Sequence, residues 1–164
     1  MANQRQLGWL VSAAQAAQKA GHKWPAAAAC EAADESAWGI STPPNSNNVL
    51  GIKVFSGWTG PAVDANGTEQ RPDGSWTGPQ LDKWCVFPDL EGCFAEQVRI
   101  LQEPRYAEAM AATAIEDYIL KESAVWSTSL AKGRVVLAIY NAHKEALDAV
   151  LSENISSVPA QNQA

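Results

Sequence analysis

Residues 3–20 place apolar side chains at Leu7, Leu10, Val11, Ala14 and Ala17, with Gln and Lys on the opposite face. That spacing is the period of a helix buried along one side, and Gly21 ends it. A second helix is predicted over 25–38. Pro25 suits a first helical position, where no backbone N–H is needed. The four alanines after it have the best helix propensity of any residue. Gly39 can close the helix in the left-handed conformation, and Pro43 and Pro44 forbid continuation. Ser41 to Asn48 has loop composition.

The pattern then changes. Between 52 and 87 the strand formers Val54, Phe55, Trp58, Val63, Trp76 and Trp84 are punctuated by Gly57, Gly60, Gly67, Gly74 and Gly78. Asn66-Gly67 is a strong hairpin signal, and Asp73-Gly74 reads as another turn. This predicts a small antiparallel lobe of short strands. Helical spacing returns after Pro88-Asp89, through Leu90, Phe94, Val98 and Leu101. Thr113 can cap a further helix through about Lys121, with Ile115, Tyr118 and Ile119 inward. A last long helix is predicted from about Ser129 to Ser152, with Val136, Ile139, Tyr140, His143, Leu147, Val150 and Leu151 as its buried stripe and Gly133 as a break. His143 on that stripe reads as a core or rim histidine. Residues 153–164 read as a frayed tail. The whole is an α+β chain, predominantly helical, with one domain over 1–152.

Composition narrows the chemistry. The chain has 164 residues, 46% of them hydrophobic and 18% charged, with a net charge of −6. That is globular rather than disordered composition, and an acidic chain lacks the basic face that nucleic acid needs. Cys30, Cys85 and Cys93 make an odd count, so free buried thiols are expected rather than a disulfide framework. Neither His22 nor His143 stands in a motif that would activate a thiol. No P-loop, dinucleotide fingerprint, His-Glu-x-x-His or Gly-x-Ser-x-Gly occurs, and two histidines with scattered cysteines do not make a zinc site. No metal or cofactor is expected. Nothing at the N-terminus has the form of a signal peptide. No apolar run is long enough to span a membrane.

The remaining chemistry is carboxylate-driven. Glu35 falls in the last turn predicted for the second helix, where the dipole opposes an anion. Trp38, three residues on, shares its face. Apolar cover and the dipole both favour a protonated carboxyl, which is what a general acid needs. Seven tryptophans are many for this length. Trp38, Trp58, Trp76 and Trp84 fall in or beside the segments around Glu35 and the predicted lobe. Aromatic faces suit the apolar faces of sugar rings.

Glu35-Ser36-Ala37-Trp38-Gly39, followed by Asn47-Asn48-Val49-Leu50-Gly51-Ile52-Lys53, resembles the glucosaminidase family of peptidoglycan hydrolases, the family of flagellar and autolytic wall enzymes and of many phage endolysins. Its pattern is Glu-Ser-Gly-Trp-Gly, then Asn-Asn-Leu-Phe-Gly-Ile-Lys. Ala37 departs from the usual glycine, and Val49-Leu50 from Leu-Phe. Thr68-Glu69 before Asp73-Gly74 resembles the family's second acidic motif. Trp126 stands where the family has the tyrosine of Tyr-Ala-Thr-Asp. The resemblance implies a lysozyme-like fold whose β-lobe, about 52–87, walls a cleft. It implies an endo-β-N-acetylglucosaminidase, with Glu35 as acid and Glu69 as second carboxylate; Glu31 and Asp64 are reserve carboxylates. Trp38, Asn47, Asn48, Trp58 and Trp126 are the implied substrate contacts, and peptidoglycan glycan strands the partner of a monomer. The acidic balance offers no attraction to an anionic wall. A muramidase, a lytic transglycosylase and a non-catalytic glycan-binding or virion module remain alternatives. With no signal peptide expected, the implied setting is an endolysin made in the cytoplasm that acts on the wall after release.

Overall fold

The computed structural model describes residues 4–68, 71, 73–127, 129 and 131–156, with side chains through residue 153. Its centre is the alanine-rich helix α2 (Pro25–Glu35), in which every residue from Ala26 to Ala33 is buried. A helix buried on all faces is a core element rather than an amphipathic one. Its small side chains let neighbours approach closely. Helix α1 (Gln4–Lys19) packs on it through Leu10, Ala13, Ala14 and Ala17, and the long helix α6 (Lys132–Ser156) packs on both.

Two strands, β1 (Ala62–Gly67) and β2 (Gln80–Cys85), pair antiparallel from Ala62 opposite Cys85 to Gly67 opposite Gln80. Asn66 and Gly67 therefore end β1 as paired residues, opposite Leu81 and Gln80, and do not form the two-residue hairpin that their dipeptide predicts. The ring of Trp84 explains the glycine. A side-chain carbon on Gly67 would lie 2.6 Å from it, so only glycine fits beneath the indole. The Asp73-Gly74 turn is present. Gly74 has φ +83°, and the Asp73 carboxylate accepts from the Ser75 N–H and hydroxyl at 2.9 and 2.7 Å. Val54, Phe55 and Trp58 lie outside the two strands; Lys53 forms a single bridge to Trp84.

The chain continues through α3 (Leu90–Ile100), a 3₁₀ turn (Pro104–Tyr106), α4 (Ala107–Met110) and α5 (Ile115–Trp126). Asp89 caps α3 by accepting from the Gly92 N–H at 2.8 Å. Three boundaries depart from the sequence expectation. The cap position of α5 is Ala114, with no side-chain bond, rather than Thr113, and the helix extends past Lys121 to Trp126. Gly133 does not break α6. It lies in the first turn, where a side-chain carbon would meet Leu120 at 3.3 Å, so it is where α5 and α6 touch.

The third departure is at the end of α2, which stops at Glu35 rather than at Trp38. Ala37, Trp38 and Gly39 take φ of +47°, +61° and +78°. Ser36 pins this left-handed turn: its hydroxyl donates to Ala32 at 2.6 Å and accepts from the Gly39 N–H at 2.8 Å. Glycine is required at 39 twice over, by its φ and by Trp9 Nε1, which would lie 2.2 Å from an added side-chain carbon. Ala37, in the family's glycine position, carries left-handed strain of roughly 1–2 kcal/mol. An alanine at this position is thus a conformational cost. All three cysteines are free and buried, and burial pushes the Cys30 and Cys93 thiols up to about 12, which makes them packing groups.

Candidate active site

Three tracts meet at the end of α2. The segment 48–53 crosses in front of it, the β-hairpin stands to one side, and the start of α6 closes the other. Between them lies a cleft of about 520 Å³ lined by Asp34, Glu35, Gly51, Thr68, Trp76, Trp84, Trp126 and Lys132, among others. It extends along Pro43, Pro44 and Ala65–Gly67 into a stretch of about 400 Å³. At the other end it runs past Phe55, Arg99, Arg105 and Tyr106 into one of about 660 Å³. All three stretches share Gly51, and Glu35 faces the first two. The result is a groove with a carboxylate partway along it.

Gly51 has φ +62°, and a side-chain carbon there would stand 3.9 Å from Glu35 Oε2 and 3.7 Å from the Trp84 ring. The bare backbone keeps that approach open. Trp84 is held by its Nε1–H, which donates to the Ala65 carbonyl at 3.0 Å, and by the Lys53 ammonium 5.4 Å from its ring. Lys53 is itself paired with Asp82 at 2.9 Å. Trp126 packs on Tyr106 with ring centroids 6.2 Å apart. Trp76 is 60% exposed on the hairpin side, a large apolar face left to solvent at the cleft rim.

The surroundings of Glu35 are not those predicted. Trp38 would share its face only if the helix continued. The left-handed turn instead sends Trp38 onto Trp9 and His143, at centroid distances of 6.4 and 5.7 Å, outside the cleft lining. The group that meets the carboxylate is Lys132, whose ammonium donates to Glu35 Oε1 and reaches Asp34 Oδ2 at 3.2 Å. Lys132 is only 4% exposed. Burial pulls its pKa down, but Glu31, Glu35 and Asp34 outweigh that and leave it above the ordinary lysine value.

Behind this pair lies a buried polar cluster. Gln97 Nε2 donates to Glu31 Oε2 at 2.8 Å, and Glu31 is in hydrogen-bond contact with Glu122 of α5. Burial raises the pKa of both carboxyls. Glu31, a reserve carboxylate by sequence, is therefore a core residue.

The other sequence candidates are placed as follows. Asn48 is buried; its amide donates to Ile52 and Cys85 carbonyls at 2.8 and 3.0 Å and accepts from the Ile52 N–H at 2.9 Å. It fixes the crossing segment and also borders the narrower stretch of the groove. Asn47 donates to the Phe87 and Pro88 carbonyls at 2.9 and 3.0 Å, tying the loop to the hairpin's exit. Trp58 packs between Phe55 and Phe87 and donates to the Pro61 carbonyl, away from the groove lining. Asp64 lies on the exposed alternation of β1. Glu69 lies outside the described residues; Thr68, before it, lines the cleft. Asp34, Glu122 and Lys132 escaped sequence reasoning, because α6 follows α2 by about a hundred positions and no local pattern ties them. Among the described residues no three His, Cys, Asp or Glu are disposed to hold a metal, and no helix is long and apolar enough to cross a membrane.

With this geometry in hand, the comparisons are direct. Residues 11–147 match the family profile described as glucosaminidase, mannosyl-glycoprotein endo-beta-N-acetylglucosaminidase. Solved structures share the fold, and three of them illustrate the match. A mutant peptidoglycan hydrolase from Sphingomonas sp. A1 is 22% identical, with TM-score 0.75 over 90% of this chain and 99% of that one. The truncated glycoside hydrolase domain of FlgJ from Salmonella typhimurium is 23% identical, with TM-score 0.68 over 85% and 98%. The catalytic domain of the autolysin Auto from Listeria monocytogenes is 18% identical, with TM-score 0.71 over 92% and 89%. No curated protein sequence matches significantly.

Proposed function

The chain belongs to the glucosaminidase family, and from that premise we propose that it is a glycoside hydrolase that cuts the glycan strands of bacterial peptidoglycan as an endo-β-N-acetylglucosaminidase. The observation that carries this reading is the Glu35 carboxylate, the last residue of a rigid buried helix, opening partway along a groove walled by Trp76, Trp84 and Trp126. An extended groove suits a polymer, and the indole faces suit sugar rings. That the structural neighbours include a peptidoglycan hydrolase, a glycoside hydrolase domain and an autolysin supports the choice of substrate.

In this reading Glu35 Oε2 carries the proton to the glycosidic oxygen as the bond breaks. Glu69 is the second carboxylate, which activates water or stabilises the positive sugar. Trp76, Trp84 and Trp126 hold successive sugars against the groove, with Trp126 presenting a stacking face where the family has a tyrosine. The test is hydrolysis of purified peptidoglycan, read as soluble reducing ends. Wild-type protein should release them, and Glu35→Gln should lose at least the roughly 10²–10⁴-fold that general acid catalysis contributes. Equal release by both proteins would remove Glu35 from the mechanism.

A further inference from the structure

We propose that Lys132 is the positioning residue of the active site, holding Glu35 Oε1 so that Oε2 alone faces the groove, and that Glu31 and Glu122 anchor Lys132 from the buried side. The inference rests on the hydrolase reading of Glu35.

Glu35 is the last residue of α2, and the chain beyond it leaves in a left-handed turn. Nothing on its own helix fixes its carboxyl. Lys132 does so from the first turn of α6, and it is a constrained group itself. Its backbone N–H donates to Ser129 at 3.2 Å, and its ammonium is nearly sealed from water. A buried ammonium is stable only when paired. The charged groups acting on it are Glu31, Asp34 and Glu35 from α2 and Glu122 from α5, and Tyr118 of α5 and Tyr106 of the 3₁₀ turn face Glu31 and Glu122 in turn. With Oε1 occupied by Lys132, Oε2 is the oxygen on the Gly51 side. An acid whose two oxygens are inequivalent presents its proton in one direction, the alignment that transfer requires.

The anchoring side has its own signature. Glu31 Oε1 and Glu122 Oε1 are buried with no hydrogen-bond partner when both carboxyls are taken as ionised, although the two groups touch. One proton shared between them supplies the missing donor. It also lowers by one the negative charge gathered around a single buried cation. The pair then holds one negative charge beneath the Lys132 ammonium, and the Gln97 amide stabilises it.

The experiment compares wild type, Lys132→Met and Lys132→Arg by pH–rate profile on peptidoglycan, with thermal melts to confirm folding. Lys132→Met should lower kcat at its own optimum by about 10–100-fold, the size of effect that misplacement of a catalytic group produces. KM should stay near the wild-type value, because the groove that holds the strand is untouched. Lys132→Arg keeps the charge and the donor and should recover most of the lost kcat. A purely structural lysine would lose activity only in step with the fraction of folded protein. Carboxyl ¹³C titration by NMR tests the anchor: one buried glutamate should remain protonated at pH 7 in the wild type, and Glu122→Gln should remove that signal. A Lys132→Met enzyme with wild-type rate and profile overturns the positioning role. Carboxyls that all ionise below pH 5 overturn the anchor. If the wild type releases no reducing ends, it is the hydrolase reading that has failed; the titration still decides the anchor.

Discussion

Glu35→Gln has a consequence for stability that the helix dipole alone would misjudge. Removing an anion from a helix C-terminus relieves about 0.3–1 kcal/mol of dipole repulsion, so unchanged or slightly higher stability is the expectation from sequence. The structure reverses the sign. Lys132 is 4% exposed and Glu35 27%. Breaking a fully buried pair by removing one partner costs about 3–5 kcal/mol, and breaking an exposed one about 0–1. This pair lies between, and Asp34 and Glu31 remain near the orphaned ammonium. Subtracting the dipole relief leaves a net loss of about 1–2 kcal/mol, or a Tm lower by about 2–8 °C for a chain of this size. Calorimetry at pH 7, at low and high salt, measures it. Part of the loss should persist in salt, because the ammonium end of the pair is buried and poorly screened. A Glu35→Gln protein that melts at or above the wild type would show that Lys132 does not depend on Glu35 in solution, and the geometry proposed for the acid would fall with it.

Three other outcomes are expected. Glu69→Gln should cut turnover strongly with the melt unchanged; near-full activity would pass the second role to another group, such as the substrate's own acetamido oxygen. Ala37→Gly should stabilise the fold by about 1 kcal/mol, since glycine removes left-handed strain; a lower Tm would mean that the turn is not strained in solution. His22 is buried, and burial pushes its pKa down to about 4. Between that value and the unfolded value of about 6.5, the unfolded chain binds the extra proton, so this contribution to stability falls as pH drops through that window, by up to about 3 kcal/mol. Glu31 and Glu122 act in the opposite sense, because their raised affinity for protons favours the folded state at low pH and is lost as pH rises. Replacing His22 with Gln should leave a stability that rises on mild acidification, measured by denaturant titration at pH 5 and 7; stability that still falls would refute the assignment.

Much of the helical frame is legible because its cause is local. The spacing of Leu10, Ala14 and Ala17, and the capping chemistry of Asp89, act within a few residues of themselves. Glu35 is legible for a related reason: the serine and glycine that follow it are the parts of one pinned turn. What escapes is whatever depends on packing between distant segments. Asn66-Gly67 looks like a hairpin turn until the Trp84 indole is seen to require that glycine. Trp38 looks like cover for Glu35 until three positive φ angles in a row redirect it. The alanine-rich run around Glu31 hides the fact that Glu31 is also buried, because its partners Gln97 and Glu122 lie on other helices. Lys132 has no local signal at all. Its importance arises only where α6 begins beside the end of α2.

The most direct test of the account is the identity of the bond cut. Purified peptidoglycan is digested with the wild-type protein, the new ends are reduced with borohydride, and the fragments are sequenced by mass spectrometry. The account predicts reduced N-acetylglucosamine at each new end, with no such ends from Glu35→Gln. Reduced N-acetylmuramic acid or its anhydro form at the new ends would contradict it, as the product of a muramidase or a lytic transglycosylase.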